Sequence, residues 1–167
     1  MLEDGNWLVP RLYDQLYLRK PPMQYWILAF VEQMAGFANE WVWRLPSALG
    51  AAFLGGFLCR TGQRWWGRAS GLATGVAFLA LGALWSQFRS ADIDALNTVA
   101  AMIAVVALFE IHRGGEGRKW TWMLGGGLAF GVSLLLKGPA SLPLILGAFF
   151  GPLFLEGNFK KLLSGYR

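Results

Sequence analysis

Three short stretches carry the residue types that could do chemistry in this chain. The first is Tyr17-Leu18-Arg19-Lys20-Pro21-Pro22, which sets a phenol and two cations just before a rigid Pro-Pro step. A lysine held there suits a grip on a phosphate, although snorkelling of the same side chain at a membrane surface explains it as simply. The second is Arg89-Ser90-Ala91-Asp92-Ile93-Asp94, where one carboxylate facing a cavity suits a sugar hydroxyl, a metal or a substrate amine. Both acids also suit the first turn of a helix, where they cap its N–H groups and complement its dipole. Because Asp92 and Asp94 are two apart, a helix points them different ways, so they are not expected to act as a pair. The third is Lys137-Gly138-Pro139, a lysine at the end of a helix followed by a turn. If Lys20, Arg89 and Lys137 converge, they form a cationic pocket for a phosphate diester.

The elements that must position these residues are membrane spans. Of the 167 residues, 55% are hydrophobic and 15% charged, with 22 glycines and 9 tryptophans, and the mean hydropathy is +0.41. A soluble domain of this length needs a charged exterior that such a composition does not supply. Charge-free runs cover 45–59, 69–88, 95–109, 120–136 and 138–155. With their flanks, each approaches the ~20 residues that cross a bilayer core as a helix. The expected fold is therefore all-α, a polytopic transmembrane helical bundle of about five spans at 41–59, 69–88, 93–111, 120–136 and 138–155. Residues 1–40 are expected to form a periplasmic loop with a juxtamembrane helix, 41–155 the bundle, and 156–167 a cytoplasmic tail. Within residues 1–40 the apolar run Pro21 to Val31 is too short to span, and Tyr25, Trp26, Ile27 and Phe30 suit an interfacial helix with aromatic anchors.

Orientation follows from the basic residues. Arg60, Arg64, Arg68, Arg113, Arg118, Lys119, Lys160, Lys161 and Arg167 fall on one side of this topology, which the positive-inside rule makes cytoplasmic. The three chemistry-bearing stretches fall on the other. The pI near 9.7 is accounted for by cytoplasmic loops facing anionic membrane lipids, so no nucleic-acid partner is expected. Cys59 is the single cysteine and His112 the single histidine, which excludes a disulfide within the chain and a His-based metal pair. Gly71 with Gly75, Gly127 with Gly131, and Gly147 with Gly151 are spaced to let helices approach closely.

In order along the chain, MLEDGNWLVPRLYDQLYLRKPPMQYW, NEWVWRLPSALG, the Arg89 to Asp94 stretch and LLLKGPASLPLIL resemble the motifs of polyprenyl-phosphate-dependent glycosyltransferases of the GT-C membrane fold. The resemblance is to the aminoarabinose-to-lipid-A transferases and the wider protein O-mannosyltransferase group. It implies a partial GT-C module in a bacterial inner membrane, working on the periplasmic face. There an acceptor on lipid A, a protein or an envelope glycan attacks the anomeric carbon of a polyprenyl-phosphate-linked sugar, and polyprenyl phosphate leaves. By position, Lys20 matches a lysine near the carrier phosphate and Tyr17 a tyrosine lining the cavity. Asp94 matches an acid at the outer end of a later span and is the expected catalytic carboxylate, Lys137 matches a Lys-Gly-Pro turn, and Arg89, within the matching Arg89 to Asp94 stretch, is expected to bind substrate with Lys20 and Lys137.

The chain departs from that pattern in two ways. The Asp-Glu pair that ends the family's first helix, the principal catalytic acid among them, has no counterpart here. An often acidic position is Arg19, which weakens any metal site, so no metal ligand is expected in this chain and a divalent ion is left to the full-length enzymes. The resemblance thus implies an N-terminal fragment without its first helix, inactive by itself. The competing classes are a small transporter or channel component, for which paired inverted repeats are absent, and a non-catalytic membrane scaffold joined through glycine faces.

Overall fold

The computed structural model describes residues 11–12, 15–16, 20–113 and 119–155. Tyr17, Arg19 and the tail 156–167 lie outside them. Two two-residue strands, β1 (Arg11–Leu12) and β2 (Gln15–Leu16), pair antiparallel with Arg11 opposite Leu16. The rest of the regular structure among the described residues is helical: α1 (Met23–Ala35), α2 (Glu40–Trp66), α3 (Arg68–Ala80), α4 (Gly82–Phe88), α5 (Ile93–His112), α6 (Lys119–Lys137), a 3-10 turn (Gly138–Ser141) and α7 (Leu142–Leu155).

The helix ends are chemically marked. Pro22 precedes the first turn of α1, and Gly36 closes that helix with φ 75°, donating its N–H to the Glu32 carbonyl. Asn39 caps α2 by accepting from the Trp41 N–H at 3.1 Å, and Asp92 caps α5 by accepting from the Asp94 N–H at 3.2 Å. Gly67, at φ 90°, is the whole connection between α2 and α3.

Two tightly packed antiparallel pairs, α2–α3 and α5–α6, make the body of the bundle. Their interfaces are built from small residues. A Cβ on Gly71 would stand 2.5 Å from the Cys59 carbonyl, one on Gly75 2.9 Å from the Cys59 Cβ, and one on Gly126 2.6 Å from the Ala107 Cβ. Only glycine admits these approaches. Buried residues of α5 are mostly alanine (Ala95, Ala100, Ala101, Ala104, Ala107), whereas Trp41, Leu45, Leu49 and Phe53 form an exposed stripe along α2. Small residues inside and large apolar ones outside is the pattern expected when lipid, not water, is the solvent. The Gly71/Gly75 pair packs as expected. A Cβ on Gly127, Gly131, Gly147 or Gly151 would meet nothing within 4 Å, so among the described residues no neighbouring helix closes on the Cβ side of these two pairs.

Three stretches among the described residues are long and apolar enough to cross a membrane: Glu40–Trp66, Ile93–His112 and Lys119–Gly151. The last runs through the Gly138–Ser141 turn and takes in the fourth and most of the fifth expected span. The second expected span, 69–88, is divided between α3 and α4 at Leu81, whose backbone turns extended at ψ 104°. The expected interfacial segment is a helix, and α1 packs on the bundle. Its Met23 and Ile27 lie against the cluster of Ile93, Ala100 and Leu136, and the Trp43 indole N–H donates to Glu32 Oε2 at 2.9 Å. A second cluster of Leu54, Phe88 and Ala95 joins α2, α4 and α5, and a third of Ala104, Ala129 and Ile145 joins α5, α6 and α7.

Candidate functional site

The antiparallel course of α5 and α6 brings the start of one beside the end of the other. Asp94 sits in the first turn of α5 and Lys137 is the last residue of α6. Helix formation alone fixes both: Asp92 caps α5 so that Asp94 follows in the first turn, and Gly138, at φ 67°, stops α6 just past Lys137. The result is a direct ion pair between the Lys137 ammonium and Asp94 Oδ1. Among the described residues this carboxylate oxygen is buried and receives no other polar contact. Both side chains remain about a third exposed, so the pair stands at the edge of the bundle and is open to a further partner.

Helix α1 brings the other expected stretches to the same end. The Gln24 side-chain amide donates to the Ala91 carbonyl at 3.4 Å, tying the start of α1 to the turn between α4 and α5. Lys20 lies just ahead of that bond and Arg89 just ahead of the turn. Lys20 is exposed and forms no ion pair with another described residue. The structure therefore places Lys20, Arg89, Asp94 and Lys137 at one end of the bundle, and draws Asp94 and Lys137 into contact. Tyr17, expected to line the same cavity, lies outside the described residues. Asp92 and Asp94 do diverge in role, since Asp92 is spent on the helix cap and Asp94 on Lys137.

Two features escape a search for ionisable groups. Beneath the ion pair, Ser133 Oγ lies 2.8 Å from Asn97 Oδ1 and 2.8 Å from Ser141 Oγ, and Ser141 Oγ lies 3.0 Å from Asn97 Oδ1. At the opposite end, both oxygens of Glu110 are engaged, Oε2 by Arg64 at 3.1 Å and Oε1 by the Trp65 indole N–H at 2.9 Å. Arg113 lies 5.6 Å over the Trp65 ring and Arg64 lies 5.4 Å over Trp122. Helical spacing is the signal that could have found the first: Asn97 follows Asp94 by three, and Ser133 precedes Lys137 by four. Nothing in the local sequence marks Glu110, whose partners are 45 and 46 positions away. Among the described residues no three His, Cys, Asp or Glu side chains gather where they could hold a metal ion.

Residues 19–164 match the protein family described as dolichyl-phosphate-mannose-protein mannosyltransferase. The undecaprenyl phosphate-alpha-4-amino-4-deoxy-L-arabinose arabinosyl transferase of Pseudomonas savastanoi pv. phaseolicola is 28% identical over 141 residues, 83% of this chain and 26% of that protein. The transferase of the same description from Erwinia tasmaniensis is 28% identical over 166 residues, 98% of this chain and 30% of its own length. The chain thus spans less than a third of these relatives. The crystal structure of ArnT from Cupriavidus metallidurans in the apo state superposes with a TM-score of 0.78 at 23% identity, over 84% of this chain and 26% of that one. That likeness bears out the expected GT-C membrane fold.

Proposed function

This chain belongs to the dolichyl-phosphate-mannose-protein mannosyltransferase family, and on that premise we propose that it forms the donor-binding part of a membrane glycosyltransferase acting from an undecaprenyl-phosphate-linked sugar. The observation that carries this reading is the Asp94–Lys137 contact at the end of the bundle that also holds Lys20 and Arg89. Sugar transfer from a lipid phosphate needs cations where the phosphate leaves and a carboxylate where the acceptor is oriented or deprotonated. Lys137 can serve the first need while held by Asp94, because an ammonium carries three N–H donors and the ion pair uses one side of it. Lys20 and Arg89 supply further positive charge from separate elements, so a phosphate is met from several directions. Asp94 is the carboxylate we assign to the acceptor.

The reading places this end at the periplasmic surface of a bacterial inner membrane, because the opposite end carries Arg60, Arg64, Arg68, Arg113 and Lys119. The acceptor is lipid A by analogy with the arabinosyl transferases or a protein hydroxyl by analogy with the mannosyltransferases. The transporter and scaffold alternatives draw no support from the family match. Retention of undecaprenyl phosphate by the chain in nanodiscs, followed by native mass spectrometry with undecaprenol as the phosphate-free control, tests the reading. Lys137→Ala and Arg89→Ala should each weaken retention of the phosphate lipid about tenfold, the worth of one charge-assisted contact. Equal retention of undecaprenol and undecaprenyl phosphate would defeat it.

A further inference from the structure

The part of the α5–α6 interface away from the ion pair is built of alanine and glycine, and it is flat. Along α5 and α6 the contacts of Ala107 with Gly126 and of Ala104 with Ala129 hold the helices close, but dispersion between small groups has little direction along the helix axis. Packing of Leu136 with Ile93 and Ala100 limits how far α6 moves along α5, and directional bonds can fix the register closely enough to decide whether Lys137 meets Asp94. The Asn97, Ser133 and Ser141 side chains do have direction. They come from α5, α6 and the 3-10 turn, and they bracket the ion pair on both elements. Asn97 lies one turn beyond Asp94, Ser133 one turn before Lys137, and Ser141 four residues after it, past Gly138 with its φ of 67°.

Ser133 is 0% and Ser141 5% exposed, so neither hydroxyl has water as an alternative partner. Two hydroxyl protons serve three close contacts, so two hydrogen bonds form at a time and no proton is left over. Sliding α6 along α5 by a single residue, about 1.5 Å, would break the set and strand buried polar atoms. We infer that Asn97, Ser133 and Ser141 are positioning residues: their shared hydrogen bonds set the α5–α6 register and the path of the Gly138–Ser141 turn, and thereby hold the Lys137 ammonium on Asp94. Their relevance to sugar transfer rests on the donor-binding reading above, whereas the placement of Lys137 can be measured without it.

The measurement is the rate at which Lys137 is acylated by an amine reagent in the full chain in detergent micelles, read by peptide mass spectrometry with Lys119 as the internal reference. Asn97→Ala and Ser133→Ala should each raise the Lys137 rate roughly two- to fivefold, toward that of Asp94→Asn, the range set by losing a partly exposed ion pair. Lys119 should not change. Ser47→Ala is the control, since Ser47 is a buried serine on α2 whose Oγ has no partner, and it should leave Lys137 as it is. Unchanged labelling of Lys137 in both variants would overturn the inference, and so would a parallel rise of Lys137 and Lys119, which reports general loosening. If the unsubstituted chain fails to retain undecaprenyl phosphate while the Lys137 effect persists, the donor reading falls and the register inference stands.

Discussion

Among the described residues, each end of the bundle has an acid that meets a cation from a distant element, yet the protein encloses the two pairs to different degrees. At the arginine-rich end Glu110 is 11% exposed, and Arg64 and Trp65 occupy both its oxygens. At the other end Asp94 is 31% exposed and Lys137 39%, and the buried Asp94 Oδ1 meets the Lys137 ammonium and no other polar group among the described residues. A carboxylate with both oxygens engaged has nothing left to offer a ligand and serves to join α2 to α5. A carboxylate that is a third exposed, at the end of the bundle that also carries Lys20 and Arg89, keeps capacity for a further group. How fully the protein encloses the acid, more than the presence of charge, separates the structural end from the candidate site.

The sharpest way to break this contrast is to remove the enclosed acid. Glu110→Ala leaves the Trp65 N–H without its acceptor and Arg64 without its counter-ion. It should cost about 2 kcal/mol, below the figure for a fully buried pair because Arg64 is 37% exposed and can rehydrate. Thermal loss of helicity in detergent micelles measures it, and undecaprenyl phosphate retention at temperatures where the variant is folded should be unaltered. A loss of retention larger than the loss of stability would mean that the two ends are not separate in function.

The open pair should answer in the opposite way. Asp94→Asn preserves shape, removes the charge and lets the Lys137 ammonium turn to water, so stability should change by less than about 1 kcal/mol. Binding is the sensitive quantity, and its sign is diagnostic. With the competing carboxylate neutralised, Lys137 is freer to meet a phosphate, so retention of undecaprenyl phosphate should rise about threefold where Lys137→Ala lowers it. If both variants weaken retention alike, Asp94 is a support for the fold and not a group that shares Lys137 with the ligand.

Much of this division was legible in the chain. Charge-free runs marked the helices, and the turn chemistry of Asp92 and Gly138 placed Asp94 and Lys137 at helix ends. The resemblance to known transferases pointed to the same residues. The break at Leu81 was not legible, because 69–88 is uncharged throughout and hydropathy does not register a local change of backbone direction. The three-residue node of Asn97, Ser133 and Ser141 is hard to read from the chain, because neutral side chains in an apolar run look like ordinary helix filler. Their helical spacing from Asp94 and Lys137 is the one local hint, and it gains meaning when α5 and α6 are set side by side. Gly127 and Gly131 show the converse. Their spacing promises a helix contact, yet the contact with α5 is made by the neighbouring Gly126, since the interface depends on which face turns toward Ala107 and not on spacing alone.

A third ion pair calibrates the other two and carries the smallest expected effect. Arg44 and Glu40 lie 2.7 Å apart on adjacent turns of α2, with side chains 43% and 72% exposed. Water competes for both groups, holding two long side chains in one geometry costs entropy, and salt screens what remains, so Arg44→Gln should shift stability by no more than ~0.5 kcal/mol. The shift should shrink further in 1 M salt, where charges interact over only about 3 Å. Undecaprenyl phosphate retention should stay within about twofold of the unsubstituted chain, even though Arg44 belongs to the same end of the bundle as Lys137. That last comparison discriminates most finely. If Arg44→Gln weakened retention as much as Lys137→Ala, the site would be a diffuse field of positive charge, and the particular contact between Asp94 and Lys137 would explain nothing about it.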